Sequence, residues 1–531
     1  MLRRIVPFGL FLLAALAALA ALAPPADAAS SMLSERPDSA LARTIRSLEG
    51  VPLHLDDAVK QALEEATDVR AARAALRAAH GAMRRERGAF DPELFADASR
   101  SSDENPNTSP FSSVLVLHDR TSQATAGARV TLPIGTELTA SLQTSKFETN
   151  NDFVTLDPQY QTAGKLEITQ PLLKGFGPGT WGEWKGTQRE YESARARYDD
   201  TVLGTRTKVA QTYWDLYAAV RDYGVDQVLR DGAQALLEEA ELRARAGLVG
   251  PGQVANARVF LAEREQSLLD REEQLDAVSD QIGTLMGRRP EEGHSRYVAV
   301  DEPPSDYAPD SLAALLEQAV ARNRSLIAVR RDVEAARVRA RGARWNMLPQ
   351  LDFVGSLGGN GLAGRRLPVS FGGGTVLLDP SLEGDFSDTW SDVWDRKLPT
   401  WSAGLRLTVP IGFRAGAGEH ERLQGELEGA EQAYLAARRA LEDEVRAAYR
   451  EFTNSKKRVE AARMGADASL EQVRIGLLEF RAGRTSAFEL VRLAGDVATA
   501  QQRYSAALTR AAKTAAELRR LTSGESAGAE Q

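Results

Sequence analysis

The sequence predicts a mainly α-helical chain with β-strands, internally duplicated, whose strands are too few to close a sheet within one copy. Three observations carry this: long heptad seams, a repeat of those seams at a constant offset, and short alternating strands bordered by aromatic residues. Val254, Leu261, Leu268, Leu275 and Ile282 form one seam of period seven, and Leu490, Val497, Tyr504, Ala511 and Leu518 form another. Such a period marks helices packed side by side along a narrow apolar stripe. The seams lie 236 positions apart throughout, and Val209, Leu216 and Tyr223 recur at that offset as Val445, Phe452 and Val459. The helices therefore come as two pairs.

From the N-terminus, Arg3 and Arg4, an apolar run from Phe8 to Ala23, and Ala26-Asp27-Ala28 predict a secretory signal peptide over residues 1–28, followed by an N-terminal extension over 29–52. With no cysteine in the chain, neither a disulfide framework nor lipid attachment to a thiol is available. A formal net charge of -8 on an exported chain argues against nucleic acid as a partner. Beyond the leader no run approaches the ~18 to 20 apolar residues of a membrane-spanning helix. Such a chain is soluble, secreted, or an outer-membrane β-barrel.

The first repeat covers 53–290 and the second 311–521, joined by a linker over 291–310 with Pro303, Pro304 and Pro309, and followed by a tail over 522–531. Each repeat reads helix, Pro, strand, loop, strand, Pro, long helix, break, long helix. LEITQPL (Leu166–Leu172) lines up with LRLTVPI (Leu405–Ile411), and FDPELFA (Phe90–Ala96) with MLPQLDF (Met347–Phe353). Trp401, Ala403, Leu405 and Leu407 alternate with Ser402, Gly404, Arg406 and Thr408, giving one apolar and one polar face. A soluble sandwich would bury the apolar face, but each half offers too few strands to build one, so the strands should pair with other copies. Phe176, Trp181, Trp184, Trp345 and Phe413 lie beside the strand-to-helix junctions, and Trp390, Trp394 and Trp401 at the opposite strand end. Two aromatic girdles suit a membrane barrel. The Gly-, Ser- and Asp-rich segment from Gly355 to Pro399 reads as a long external loop.

QPLLKGFGPGTWGEWKGTQRE (Gln170–Glu190) has the layout of a phosphate loop, but Gly175, Gly177 and Gly179 fit neither the dinucleotide nor the P-loop spacing. Pro171 and its glycines recur in the second half as Pro410 and Gly412 of PIGFRAGAGEH, so both copies are strand-to-helix junctions. The five histidines are scattered without metal-ligand spacing, and each reads as solvated surface. Carboxylates interleaved with arginine, as in GELEGAEQAYLAARRALEDEVRAAYRE, read as solvated faces. No catalytic order, cofactor motif or metal site appears, so the chain does not read as an enzyme and no cofactor is expected.

The breaks within the helix pairs are RARAGLVGPGQVANA (Arg243–Ala257) and EFRAGRTSAFELVRLA (Glu479–Ala494). With these, the duplicated exported chain resembles the TolC-like outer membrane factor family, also described as outer membrane efflux proteins, from about Leu53 to Leu521. The resemblance implies a homotrimer in which each chain gives about four strands to one barrel of about 12 in the cell outer membrane, and four long helices to a tunnel in the periplasm. A helix from Trp181 to Gly247 would span roughly 100 Å. The resemblance also implies a passive exit duct for tripartite efflux or type I secretion, working with a periplasmic adaptor and an inner-membrane pump of RND or ABC type. Thr125–Phe147 departs from the pattern with two more alternating stretches around Pro133-Ile134-Gly135, either an external hairpin or a widening of the barrel.

Gly247 and Gly483 match the family's break, while its acidic position holds Gln253 in the first copy and Glu489 in the second. By resemblance, Arg245, Gly247, Leu248, Val249, Arg481, Gly483, Arg484 and Thr485 form the periplasmic tip that meets the adaptor. Gln253 and Glu489 belong to the aperture, where three copies of Glu489 would favour cations and raise one another's pKa. Pro171, Gly175, Gly177, Pro410 and Gly412 make the junctions. Two other readings are a periplasmic adaptor (membrane fusion) protein with one coiled-coil hairpin, against which the two-fold repeat argues, and a non-transport helical scaffold.

Overall fold

The structure, a computed structural model, describes residues 37–108, 114–290, 296–304, 310–371, 374–482 and 484–523. Helix α1 (Pro37–Arg46) leads to strand β1 (Val51–Leu53), α2 (Leu55–Glu65) and α3 (Thr67–Arg87). Four strands follow, β2 (Glu93–Pro106), β3 (Val116–Thr131), β4 (Glu137–Thr149) and β5 (Leu156–Pro171), then α4 (Pro178–Arg245) and α5 (Pro251–Met286). After β6 (Tyr297–Ala299) come α6 (Leu312–Arg322), α7 (Arg324–Asn346), β7 (Gln350–Arg366) and the small hairpin β8 (Val369–Phe371) and β9 (Gly374–Val376). Helix α8 (Phe386–Trp394), β10 (Leu398–Thr408), α9 (Arg414–Arg481) and α10 (Ala487–Thr522) complete the order. The long helices are 68 and 36 residues in the first copy and 68 and 36 in the second, as a repeat of constant offset requires.

The chain divides into two compact units, one of residues up to 73, 197–326 and from 438 onward, the other of 74–196 and 327–437. The first is mainly helical. Its core takes the heptad seams read from the sequence: Val209, Leu216, Leu275, Ile282, Val445 and Leu518 are fully buried, each contributing roughly 1.5 to 3 kcal/mol. Leu41 and Ile45 of α1 pack on Val225 and Leu229 of α4 and Ala498 of α10.

The linker over 291–310 is not all linker. β6 lies in it and pairs in parallel with β1, and Tyr297, Val298 and Ala299 are buried. Three residues between prolines are too short to show strand periodicity, so only tertiary pairing reveals this strand. The Tyr213 hydroxyl sits 2.9 Å from the Leu53 carbonyl and 2.9 Å from an Asp301 carboxylate oxygen, and accepts the amides of Val300 and Asp301. Asp301 also accepts the Leu55 amide at 2.7 Å and meets His54 Nδ1 at 2.9 Å. Burial pushes the Tyr213 pKa up. The hydrogen bond to Asp301 raises that of His54, so this histidine, read as merely solvated, is exposed but tied to the linker.

The second unit is built on a six-stranded sheet in the order β10-β7-β5-β4-β3-β2, with every neighbouring pair antiparallel. About four strands were expected. The difference is Thr125–Phe147, whose two stretches are paired between β2 and β5 as parts of β3 and β4. Across the sheet, Leu94, Ala128, Ala140, Leu166, Leu357 and Trp401 form one continuous rung of register partners. The adjacent rung is Glu93, Arg129, Thr139, Glu167, Ser356 and Ser402. One face is thus apolar and the other polar across all six strands. Over that rung the apolar face is open, with Leu94 86%, Trp401 77% and Leu166 54% exposed, whereas further along β5 and β7 the same face is covered by α8, against Thr162, Gly164 and Gly361.

The glycine-rich stretch read as loop also differs, because β7 runs on to Arg366. Its glycines serve close approach. Helix α8, begun by a capping box at Asp385 and Asp388, lies on β5 and β7, with Thr389 Oγ1 2.6 Å from Thr162 Oγ1. A Cβ at Gly361 would stand 2.1 Å from the Thr389 carbonyl oxygen. Gly361→Ala is therefore expected to lift α8 from the sheet, read as several-fold faster tryptic cleavage at Arg396 and Lys397; an unchanged rate would mean α8 does not need this seat.

Candidate functional site

In the helical unit, the first break closes α4 through Gly247, whose φ of +73° lies in the left-handed region that a side chain disfavours. The Leu248 amide donates to the Arg243 carbonyl at 2.9 Å and the Gly247 amide to the Ala244 carbonyl at 3.0 Å, the paired bonds that terminate a helix at such a residue. Pro251 then opens α5 after Gly250. In the second copy the Arg484 amide donates to the Glu479 carbonyl at 2.8 Å, the same closure one repeat later. Gly483 and the side chain of Arg481 lie outside the described residues. Ser486 caps α10 by accepting the Glu489 amide.

The tip is charged and apolar at once. Arg245 is exposed, 3.7 Å from Glu241, and Leu248 is 74% exposed beside half-buried Val249. Arg484 and Gln253 are exposed, and Thr485 is half-buried. Glu489 is held by Arg492 at 2.5 Å, and Arg492 also reaches Asp496 at 3.1 Å. The Arg492 hydrogen bond holds the Glu489 carboxyl below the usual range, so mutual repulsion among copies has to work against a partner within each chain. That partner is one helical turn away in the sequence and was overlooked.

Two further groups were missed. The Arg243 guanidinium lies 4.5 Å over the Phe480 ring, and Phe480 is buried with Leu236 and Leu490, joining α4 of the first copy to α9 and α10 of the second. The signal for it was the aromatic residue just before Arg481. Further along α4, Asp226 is buried and accepts Arg271 Nε at 3.2 Å and Gln502 Nε2 at 3.4 Å. One turn earlier, burial pushes Asp222 up to about 6, with Arg271 acting against the rise and Asp226 adding to it. Nothing in the local pattern separates these carboxylates from the solvated ones around them.

In the sheet unit, the junction glycines take left-handed φ values, +82° at Gly175, +50° at Gly177 and +94° at Gly412. Pro171 ends β5, and Pro410 lies between β10 and α9. Asn346, also missed, clamps the first junction: its Oδ1 accepts the Gly175 amide at 3.2 Å and its Nδ2 donates to the Gly179 carbonyl at 3.0 Å. The β3–β4 turn joins it, since the Gly177 amide donates to the Ile134 carbonyl and Thr136 Oγ1 to Gln170 Oε1. Among the described residues no cluster of His, Asp or Glu is placed to hold a metal, and no helix is long and apolar enough to cross a membrane.

Residues 315–524 match the outer membrane efflux protein family. No curated protein matches the chain in sequence. Its fold is similar to that of the outer-membrane channel OprN, at 17% identity and a TM-score of 0.60 over 89% of this chain and 90% of that one. It is also similar to the Campylobacter jejuni CmeC outer membrane channel (12% identity, TM-score 0.58, 90% and 87% covered) and to the Neisseria gonorrhoeae MtrE outer membrane channel in its open state (16%, 0.59, 88% and 88%). The resemblance read from the sequence holds.

The Asp222 environment gives a pH dependence of definite sign. Its folded pKa lies above the ordinary 3.8, so the folded state keeps the proton longer and stability falls as pH rises from about 4 to 6, then levels. The loss is on the order of 3 kcal/mol. Asp222→Asn should melt at a higher temperature than the parent at pH 7 and at a similar one near pH 4. Parallel pH profiles for the two proteins would remove Asp222 as the source.

Proposed function

We propose, from the premise that the second half of the chain is an outer membrane efflux protein region, that the protein is a homotrimeric exit duct in the outer membrane, extending into the periplasm. The observation that carries this is the pair of adjacent rungs, one apolar and one polar, that cross the entire sheet. An apolar face left open over the apolar rung and a polar face on the other side suit lipid outside and water inside. Among the described residues both sheet edges lack a partner strand, and in lipid an unpaired edge is costly, so other copies complete the sheet.

A duct of this kind moves nothing by itself. A periplasmic adaptor and an inner-membrane pump, of RND or ABC type, supply connection and drive in efflux or type I secretion. Arg245, Leu248, Arg481 and Arg484 at the helix breaks are the surface offered to the adaptor, and Glu489 with Gln253 borders the aperture. An adaptor protein or a helical scaffold gives no account of an open apolar face on a six-stranded sheet.

Charge should test the facing. Leu405→Arg, on the apolar face, is expected to reduce assembled trimer in outer membranes, since Arg at a lipid-facing midplane costs ~2 to 4 kcal/mol, while Ser402→Arg on the other face should assemble. Equal yields of the two would contradict the facing, and a monomer as the native membrane form would sink the duct. Glu489→Gln should lower cation preference in single-channel recordings at unchanged trimer yield; unaltered selectivity would take Glu489 away from the aperture.

A further inference from the structure

The hairpin of β3 and β4 is the feature the family resemblance does not supply. We infer that both of its strands are wall strands, so that each copy gives six strands to the exit barrel and three copies close one of about 18. The inference rests on the duct reading above and sets the width of that duct.

Four observations carry it. The hairpin is inserted in the middle of the sheet, with β3 paired to β2 on one side and β4 paired to β5 on the other, so removing it from the wall would break two ladders. Its side chains obey the same facing as their neighbours: Ala128 and Ala140 continue the apolar rung, and Arg129 and Thr139 the polar one. A flap in water would have no reason to keep one face apolar. Its turn is bound to the strand-to-helix junction through Ile134 and Thr136, so the turn lies at the end of the sheet where β5 finishes. Finally, the free edges suit closure between copies. β2 starts just after α3 and β10 ends just before α9, so β10 of one copy is antiparallel to β2 of the next.

Barrel diameter grows roughly linearly with strand number, so this exit is about one and a half times as wide as one with four strands per chain. Barrels of about 16 to 18 strands leave an open aqueous channel. The outer-membrane section therefore imposes no narrow size limit on hydrophilic cargo, polypeptide included, and selection by size falls to the helical end.

The absence of native cysteine makes the test direct. In outer membranes holding the intact protein, a water-soluble maleimide should label Thr125→Cys and Gln143→Cys, register partners on the polar face, at least tenfold faster than Ala126→Cys and Leu142→Cys, partners on the apolar face. Paired cysteines scanned along β2 and β10, beginning with Ala98→Cys with Ala403→Cys, should give on oxidation a ladder ending at a covalent trimer, since adjacent antiparallel strands bring Cα atoms within disulfide reach. Equal labelling of all four positions in assembled trimers would make the hairpin an aqueous flap and overturn the inference while leaving the duct. Recovery of monomer alone, without any β2-to-β10 crosslink, would overturn the duct and the inference with it.

Discussion

Among the described residues, no strand pairs with the outer edges of β2 and β10, which each present a row of amide and carbonyl groups. In water such an edge invites aggregation, and in lipid each unsatisfied group costs several kcal/mol. The rest of the architecture answers to that constraint. In the proposed trimer, the closure that pairs these edges also puts Leu166, Leu405 and Trp401 against hydrocarbon and Arg129 and Glu167 against water. The sheet also fixes where the helices begin, because Pro171 and Pro410 end the strand ladders and the left-handed glycines after them turn the chain into α4 and α9.

Among the described residues the two repeats agree in their long helices and disagree in the strands they give to the six-stranded sheet, four from the first and two from the second. Sheet physics explains why that asymmetry is tolerated. Inserting one strand would reverse the direction of everything after it and leave the next pair parallel. Inserting a hairpin restores the direction, and if its residues keep period two it also preserves the facing of the strands on either side. The helices have no such freedom, since a seam of period seven fixes where each turn must meet its neighbour, and both pairs keep equal lengths.

What the sequence disclosed follows the same division. Periodic features were legible: the seam positions Leu216, Ile282 and Leu518 are core, and Leu405 and Leu407 share a face. The junction glycines and Gly247 were legible because positive φ has a narrow residue preference. Features fixed by distant partners were not. β6 is three residues long and depends on β1, the glycines of β7 answer to a helix more than twenty residues later, and Asn346 shows its role only when the first junction folds back onto α7. At the candidate site the break itself was read correctly, but Arg243 against Phe480 and Asp226 against Arg271 join helices from different parts of the chain. Glu489 with Arg492 was within reach of the sequence, since the two are one turn apart.

The helical unit combines narrow apolar seams with polar bridges at their flanks. Asp226 links α4 to α5 and α10, Glu451 joins Arg458 on its own helix with Arg510 of α10, and Lys513 meets Asp215. Apart from the buried Asp226, most of these groups are at least partly open to solvent, and such pairs contribute roughly 0 to 1 kcal/mol each. They specify which helix flank meets which without locking it. Adhesion comes from the seams, where Leu275 and Val209 are buried completely, and it weakens toward the breaks, where Leu242 and Leu248 are exposed and the remaining clusters are small. A helix assembly held this way is firm along its seams and easiest to re-pair at its tip, which is where an opening has to form if the passage is to end there.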